Sequence, residues 1–169
     1  VRLSGLEPAN REGYKVVARE IAPGPVFSDA NVRVTAFAVP HGAWQHAFGY
    51  RFETADRVVV VSGDTTPSQA VVAACKGCDV LVHEVMFLPA LEKLIASEPD
   101  AGRLREHLLA SHTSTTDVGR IATEAGVKTL VLSHLVPGGD PALTDDVWRA
   151  AVSPHFKGEL VVARDLMEL

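Results

Sequence analysis

Three runs of branched apolar residues each stop at an ionisable side chain. Val58-Val59-Val60-Val61-Ser62-Gly63 leads to Asp64, Val80-Leu81-Val82 leads to His83-Glu84, and Thr129-Leu130-Val131-Leu132-Ser133 leads to His134. Continuous apolar runs of this length suit strands buried on both faces. Helical patterns alternate with them. Thr66-Pro67 predicts a helix start, with threonine as cap and proline in the first position, and Gly77 ends that helix after about Lys76. Phe87 to Ala96 and Arg103 to Ala110 predict helices separated by a break at Ser97-Glu98-Pro99-Asp100. Thr116 to Ala125 is amphipathic and is closed by Gly126, and Thr144-Asp145-Asp146 caps a last helix before a strand at Glu159 to Ala163.

Upstream the pattern has the period of strands. Tyr14 to Glu20 predicts a strand, which Pro23-Gly24-Pro25 breaks. Residues 31–39 place Val32, Val34, Ala36 and Ala38 on one face and stop at Pro40-His41-Gly42. Phe48 to Glu53 is another strand, joined to Val58 by the short Ala55-Asp56-Arg57 connection. The organisation is β-rich first and βαβ-like afterwards, an α/β (α+β) class, with no internal repeat.

The chain has 169 residues, of which 47% are hydrophobic, enough for one domain with a core or a large piece of a bigger one. Its net charge of −5 argues against a broad nucleic-acid footprint. No apolar run is long enough to span a membrane, and no signal peptide is seen. Cys75 and Cys78 form a lone Cys-x-x-Cys without a second pair, which is read as a reduced pair in a cytoplasmic protein.

The candidate chemistry lies at the strand ends. Asp64 follows four valines and can act as a turn residue or as a carboxylate shared by two cations. Glu84 can orient a histidine and stabilise its protonated form. His112, in Ser111-His112-Thr113-Ser114-Thr115 ahead of a helix, is placed for general-acid work or for contact with an anionic group. His134, and His41 before Gly42, suit zinc or a related metal. His46, His107 and His155 lack such settings, and His107 is expected on a solvated helix face.

Taken in order, Val39-Pro40-His41-Gly42, Phe48-Gly49-Tyr50-Arg51, Ser62-Gly63-Asp64-Thr65, His83-Glu84, His112-Thr113-Ser114 and Val131-Leu132-Ser133-His134 resemble the metallo-β-lactamase superfamily. The chain is most similar to the branch of ribonuclease Z and arylsulfatase-like hydrolases. The resemblance implies an αββα sandwich and metal-dependent ester hydrolysis by a hydroxide held between two metals. These would be Zn²⁺, with Mn²⁺ or Fe as alternatives. It makes His41, Asp64 and His134 metal ligands, with Asp64 bridging. It gives His112 and Glu84 the proton-transfer roles of the His-Ser-Thr and His-Glu-Ala-Thr loops, which read His112-Thr113-Ser114 and His83-Glu84-Val85-Met86 here.

Two departures shape the expectation. The His-x-His-x-Asp-His ligand motif is absent, and the chain begins at Val1, so residues 1–169 are expected to be a single partial domain, the C-terminal portion of a longer enzyme and inactive alone. The apolar face left open would then be covered by the missing N-terminal half or by a second copy in a homodimer. Arg51 and Val58 are joined almost directly, which leaves no room there for the tRNA-gripping arm of ribonuclease Z. That favours a small-molecule ester (phosphodiester, sulfate or other) over nucleic acid. A tRNA 3′-processing endonuclease and a non-catalytic module of the same fold are the alternatives.

Overall fold

The computed structural model describes residues 17–96 and 101–168. One seven-stranded sheet runs through the molecule in sequence order. Strands β1 (Gly24–Ser28), β2 (Arg33–Ala38), β3 (Phe48–Glu53) and β4 (Val58–Val61) pair antiparallel. From β4 the sheet becomes parallel through β5 (Val80–Met86), β6 (Thr129–Val136) and β7 (Glu159–Val162). Parallel neighbours need crossovers, and helices supply them. Helix α1 (Gln69–Ala74) links β4 to β5. Helices α2 (Leu88–Ile95), α3 (Ala101–Ser111) and α4 (Thr115–Ala125) lie between β5 and β6. Helix α5 (Asp145–Val152) links β6 to β7.

The pleat sends alternate residues to opposite faces. The row Val60, Leu81, Leu130 and Leu160 is in register across β4 to β7 and packs in one core with Val71, Val118, Ile121, Trp148 and Val152 of α1, α4 and α5. Gly119 lets α4 approach α5, since a Cβ there would lie 2.7 Å from the Cβ of His155. The next row, Ala36, Tyr50, Val61, Val82, Val131 and Val161, is also in register and points the other way. None of these six belongs to a helix-packed cluster, and Tyr50, Val61, Val82 and Val161 are only half-buried. Ala36 and Val131 of the same row are buried, at 1% and 2% relative exposure.

Several predicted boundaries move. Within the strand expected at 14–20, residues 14–16 lie outside the described residues and 17–20 form no strand. Pro23-Gly24-Pro25 is not a break, because β1 begins at Gly24 and holds Pro25 on the sheet edge, where no ladder donor is required. Helix α1 is capped by Ser68, whose hydroxyl accepts from the Ala70 N–H, instead of by Thr66. The predicted break at Ser97-Glu98-Pro99-Asp100 lies outside the described residues. β4 ends ahead of Asp64 as expected, whereas the other two strands do not stop at their ionisable residues: β5 carries His83 and Glu84 inside it and runs on to Met86, and β6 runs past His134 to Val136. Cys75 and Cys78 are joined by a disulfide, where a reduced pair was expected. The turn at Gly77, with φ of 73°, brings the two together. No described helix is long and apolar enough to cross a membrane.

Candidate metal centre

Asp64, His112 and His134 each present a ligand atom, and these atoms lie within 4.8 Å of one another. Two come from connections and His134 from within β6, all at the carboxyl rim of the parallel strands, where open α/β sheets gather their functional groups.

Asp64 follows β4 on a turn that only glycine readily makes. Gly63 has φ of 64°, and a Cβ on it would stand 2.5 Å from the Phe48 carbonyl oxygen. His134 is aimed by a different device. In the β5–β6 ladder Glu84 pairs with Ser133 and Val85 with Leu135, so His134 is the extra residue of a β-bulge. Its φ of 42° places a non-glycine residue in the left-handed region. Bulges re-aim side chains next to active sites, and strain of this kind gathers at functional positions. The result sets His134 Nε2 3.5 Å from Asp64 Oδ2. Two donors about 2.0 Å from a tetrahedral ion are about 3.3 Å apart, so this pair fits one cation.

His112 opens the connection between α3 and α4. Its Nδ1–H donates to Glu84 Oε2 at 3.2 Å, which leaves Nε2 free. Both side chains are buried, Glu84 at 2% relative exposure and His112 at 8%. The hydrogen bond to Glu84 raises the His112 pKa above 6.5; burial opposes this, and the charges of Glu84 and Asp64 add to it. The other Glu84 oxygen accepts the Thr113 N–H at 2.6 Å, and the Glu84 N–H donates to Ser62 Oγ at 3.1 Å.

His41 stands beside this group without joining the cluster of three. Its ring centroid is 5.7 Å from that of His112, and His112 is 5.5 Å from His134. The His41 Nδ1–H donates to the Ser111 carbonyl at 2.9 Å, and the Gly42 N–H donates to the Ala110 carbonyl at 2.8 Å. The end of α3 therefore holds the His41 loop. Fixing one ring nitrogen on a carbonyl leaves the other basic, the arrangement of metal-ligating histidines.

Each of the five sequence-predicted residues lies in this region. His41 is held apart from the Asp64–His134 pair, and His112 comes closer to them than a purely proton-transferring role required. His83 points away from the centre. It is fully buried, donates Nδ1–H to the Glu84 carbonyl at 2.6 Å, and its Nε2 has no partner. Burial lowers its pKa, so it sits in the core neutral. His107 is exposed on α3, as expected. Sequence reasoning missed Ser62, Ser111 and Thr113 as the groups that hold the site. The signal was present only as hydroxyl residues beside His112 and Asp64, and Ser114 alone acts as the cap foreseen there, accepting the Asp117 N–H.

A mixed sheet that turns from antiparallel to parallel, with aspartate and histidines gathered at one rim, defines an α/β protein of the metallo-β-lactamase fold. The chain belongs to the beta-lactamase superfamily: the family model described as a beta-lactamase superfamily domain matches residues 2–135. Ribonuclease Z of Mycobacterium tuberculosis (strain H37Rv) is 29% identical over 151 residues, which cover 89% of this chain and 53% of that protein. The metallo-beta-lactamase fold protein YhfI of Bacillus subtilis superposes with a TM-score of 0.63 at 23% identity, over 85% of this chain and 52% of that one. The short form of human tRNase Z gives 0.53 at 21%, over 85% and 43%. The chain spans between half and two thirds of the length of the curated relatives it matches.

Proposed function

We propose that this chain is the metal-binding and proton-transferring part of a metal-dependent ester hydrolase, with phosphodiesters as the first substrate class to test. The convergence of Asp64, His112 and His134 carries this reading. Asp64 and His134 would hold a divalent cation, Zn²⁺ by the chemistry of the donors with Mn²⁺ or Fe as alternatives, and His41 would hold a second with Asp64 shared. The ions would supply Lewis-acid polarisation and a deprotonated water at neutral pH.

The chain's own groups do the rest. His112, kept protonated to higher pH by Glu84, faces the Asp64 carboxylate, the place for a proton donor to a leaving oxygen. Glu84 fixes the ring so that Nε2 points outward and Nδ1 stays bonded. The half-buried rim leaves Asp64 and His134 accessible to substrate, with side-chain exposures of 41% and 53%.

We infer further that residues 1–169 form one partial domain. The support is the in-register apolar face that no helix-packed cluster includes, together with the share of the relatives' length that the chain spans. A covering segment or a second copy would complete it.

A second reading, a nuclease acting on tRNA, is favoured by the ribonuclease Z relatives. Against it stands the connection from β3 to β4, closed by a Thr54 N–H bond to the Arg57 carbonyl at 2.9 Å and with no space for an inserted arm. The test is hydrolysis of bis(p-nitrophenyl) phosphate and of a precursor tRNA in parallel, by the zinc-loaded protein completed by its covering segment or second copy. Turnover of the small ester alone supports the first reading. Cleavage at the tRNA 3′ end establishes the second. Turnover of neither, with metal bound, removes both and leaves the non-catalytic module.

A further inference from the structure

Thr113 is fully buried, and each of its polar groups is committed to a different part of the centre. Its N–H donates to Glu84 Oε1 at 2.6 Å. Its hydroxyl donates to the Thr65 carbonyl at 2.7 Å, on the residue after Asp64. Its carbonyl accepts the Met86 N–H at 2.7 Å, at the end of β5. From these bonds we propose that Thr113 is a positioning residue whose hydroxyl fixes the Asp64 turn relative to the Glu84–His112 pair.

The geometry points to the hydroxyl. The backbone groups of Thr113 tie it to β5 and Glu84, and those ties survive any side chain. Between Thr113 and the Asp64 turn the bond to Thr65 is the side-chain link, and it spans 48 positions of sequence. Thr65 is itself fully buried, so its carbonyl has no solvent to turn to if the donor is removed. The Asp64 turn is anchored further by Ser62, whose N–H donates to the Val82 carbonyl at 3.0 Å, and by the Thr66 N–H to the Pro40 carbonyl at 2.9 Å, which ties it to the His41 loop. Thr113 thus joins the metal side of the centre to the proton-transfer side. Serine at this position would retain the donor and lose only the methyl. The threonine methyl is therefore dispensable to the role and the hydroxyl is not.

This rests on the proposed hydrolase reading, and the test separates the two. Thr113→Val keeps the shape and removes the donor, and Thr113→Ser keeps the donor. In the zinc-loaded, completed protein with bis(p-nitrophenyl) phosphate, Thr113→Val should lower kcat roughly 10–100-fold, the usual loss for groups that orient a metal site's ligands. KM and bound zinc per chain should stay unchanged, and Thr113→Ser should stay within about threefold of the parent. Backbone NMR shifts read the same lock without turnover: Thr113→Val should move the Asp64 amide signal, and Thr113→Ser should leave it in place. Should Thr113→Val not fold, Thr113→Ala against Thr113→Ser makes the same comparison. Equal losses in the hydroxyl-bearing and hydroxyl-free variants, or unmoved Asp64 signals in Thr113→Val, overturn the proposal. A parent protein that binds zinc and hydrolyses nothing overturns the hydrolase reading, while the NMR shifts still decide the role of Thr113.

Discussion

At the scale of single residues, the centre separates into groups that would hold metal and groups that would move a proton, and substitutions should divide the same way. Asp64→Ala is expected to abolish both metal retention and turnover, since Asp64 faces His134 at 3.5 Å and stands next to His112. His112→Ala should keep metal and lower kcat by about 10²–10⁴, the range for a lost general acid. Loss of metal in His112→Ala, read by elemental analysis, would make it a ligand instead. Two histidines also set opposite pH limits on the metal-free protein. The His112 pKa is raised above 6.5 by Glu84, so its contribution is complete below the unfolded value and is lost as pH rises through the folded one. The His83 pKa is lowered by burial, so the unfolded chain takes up a proton that the core refuses, and stability is lost as pH falls below 6.5. Chemical denaturation in chelator should show a maximum near the ordinary histidine pKa of 6.5, and His112→Gln should flatten the fall on its alkaline side.

Among elements, the turns and the bulge decide where the reactive groups point. Gly63→Ala would force a Cβ to within 2.5 Å of the Phe48 carbonyl at a φ of 64°. It should cost more than about 1 kcal/mol in denaturant unfolding and displace Asp64 enough to weaken metal binding. An alanine variant with the parent's stability would show that the turn is not as tight as described. In the core, Leu81→Ala should cost about 2–5 kcal/mol, because Leu81 is fully buried between sheet and helices. These elements were unevenly legible in the sequence. The valines of β4, the residues of β3 and the Gly126 stop of α4 are local signals, and they hold. The β1 edge strand was hidden by its prolines, since an edge position tolerates what a central strand does not. The bulge at His134 had no local signature, because it arises from the register of β6 against β5. Likewise, the bonds of Thr113 and Ser111 join segments far apart in sequence, so only their chemistry could be seen in advance, not their partners.

For the molecule as a whole, the proposed partial domain rests on the row from Ala36 to Val161, in which Tyr50, Val61, Val82 and Val161 are half-buried. Light scattering should find the isolated chain dimeric or associated, or else binding a hydrophobic dye as a monomer. A monodisperse monomer that binds no dye would mean that this face is satisfied within the chain. The family is shown by the match over residues 2–135, and the activity is a proposal about how its rim is used. The central claim is that this rim holds metal through Asp64 and His134. The most direct test is zinc per chain, by elemental analysis after dialysis, in the parent and in Asp64→Ala side by side. The account predicts at least one zinc per chain in the parent and background levels in the variant. Equal zinc in both, or none in either after zinc loading, would contradict it.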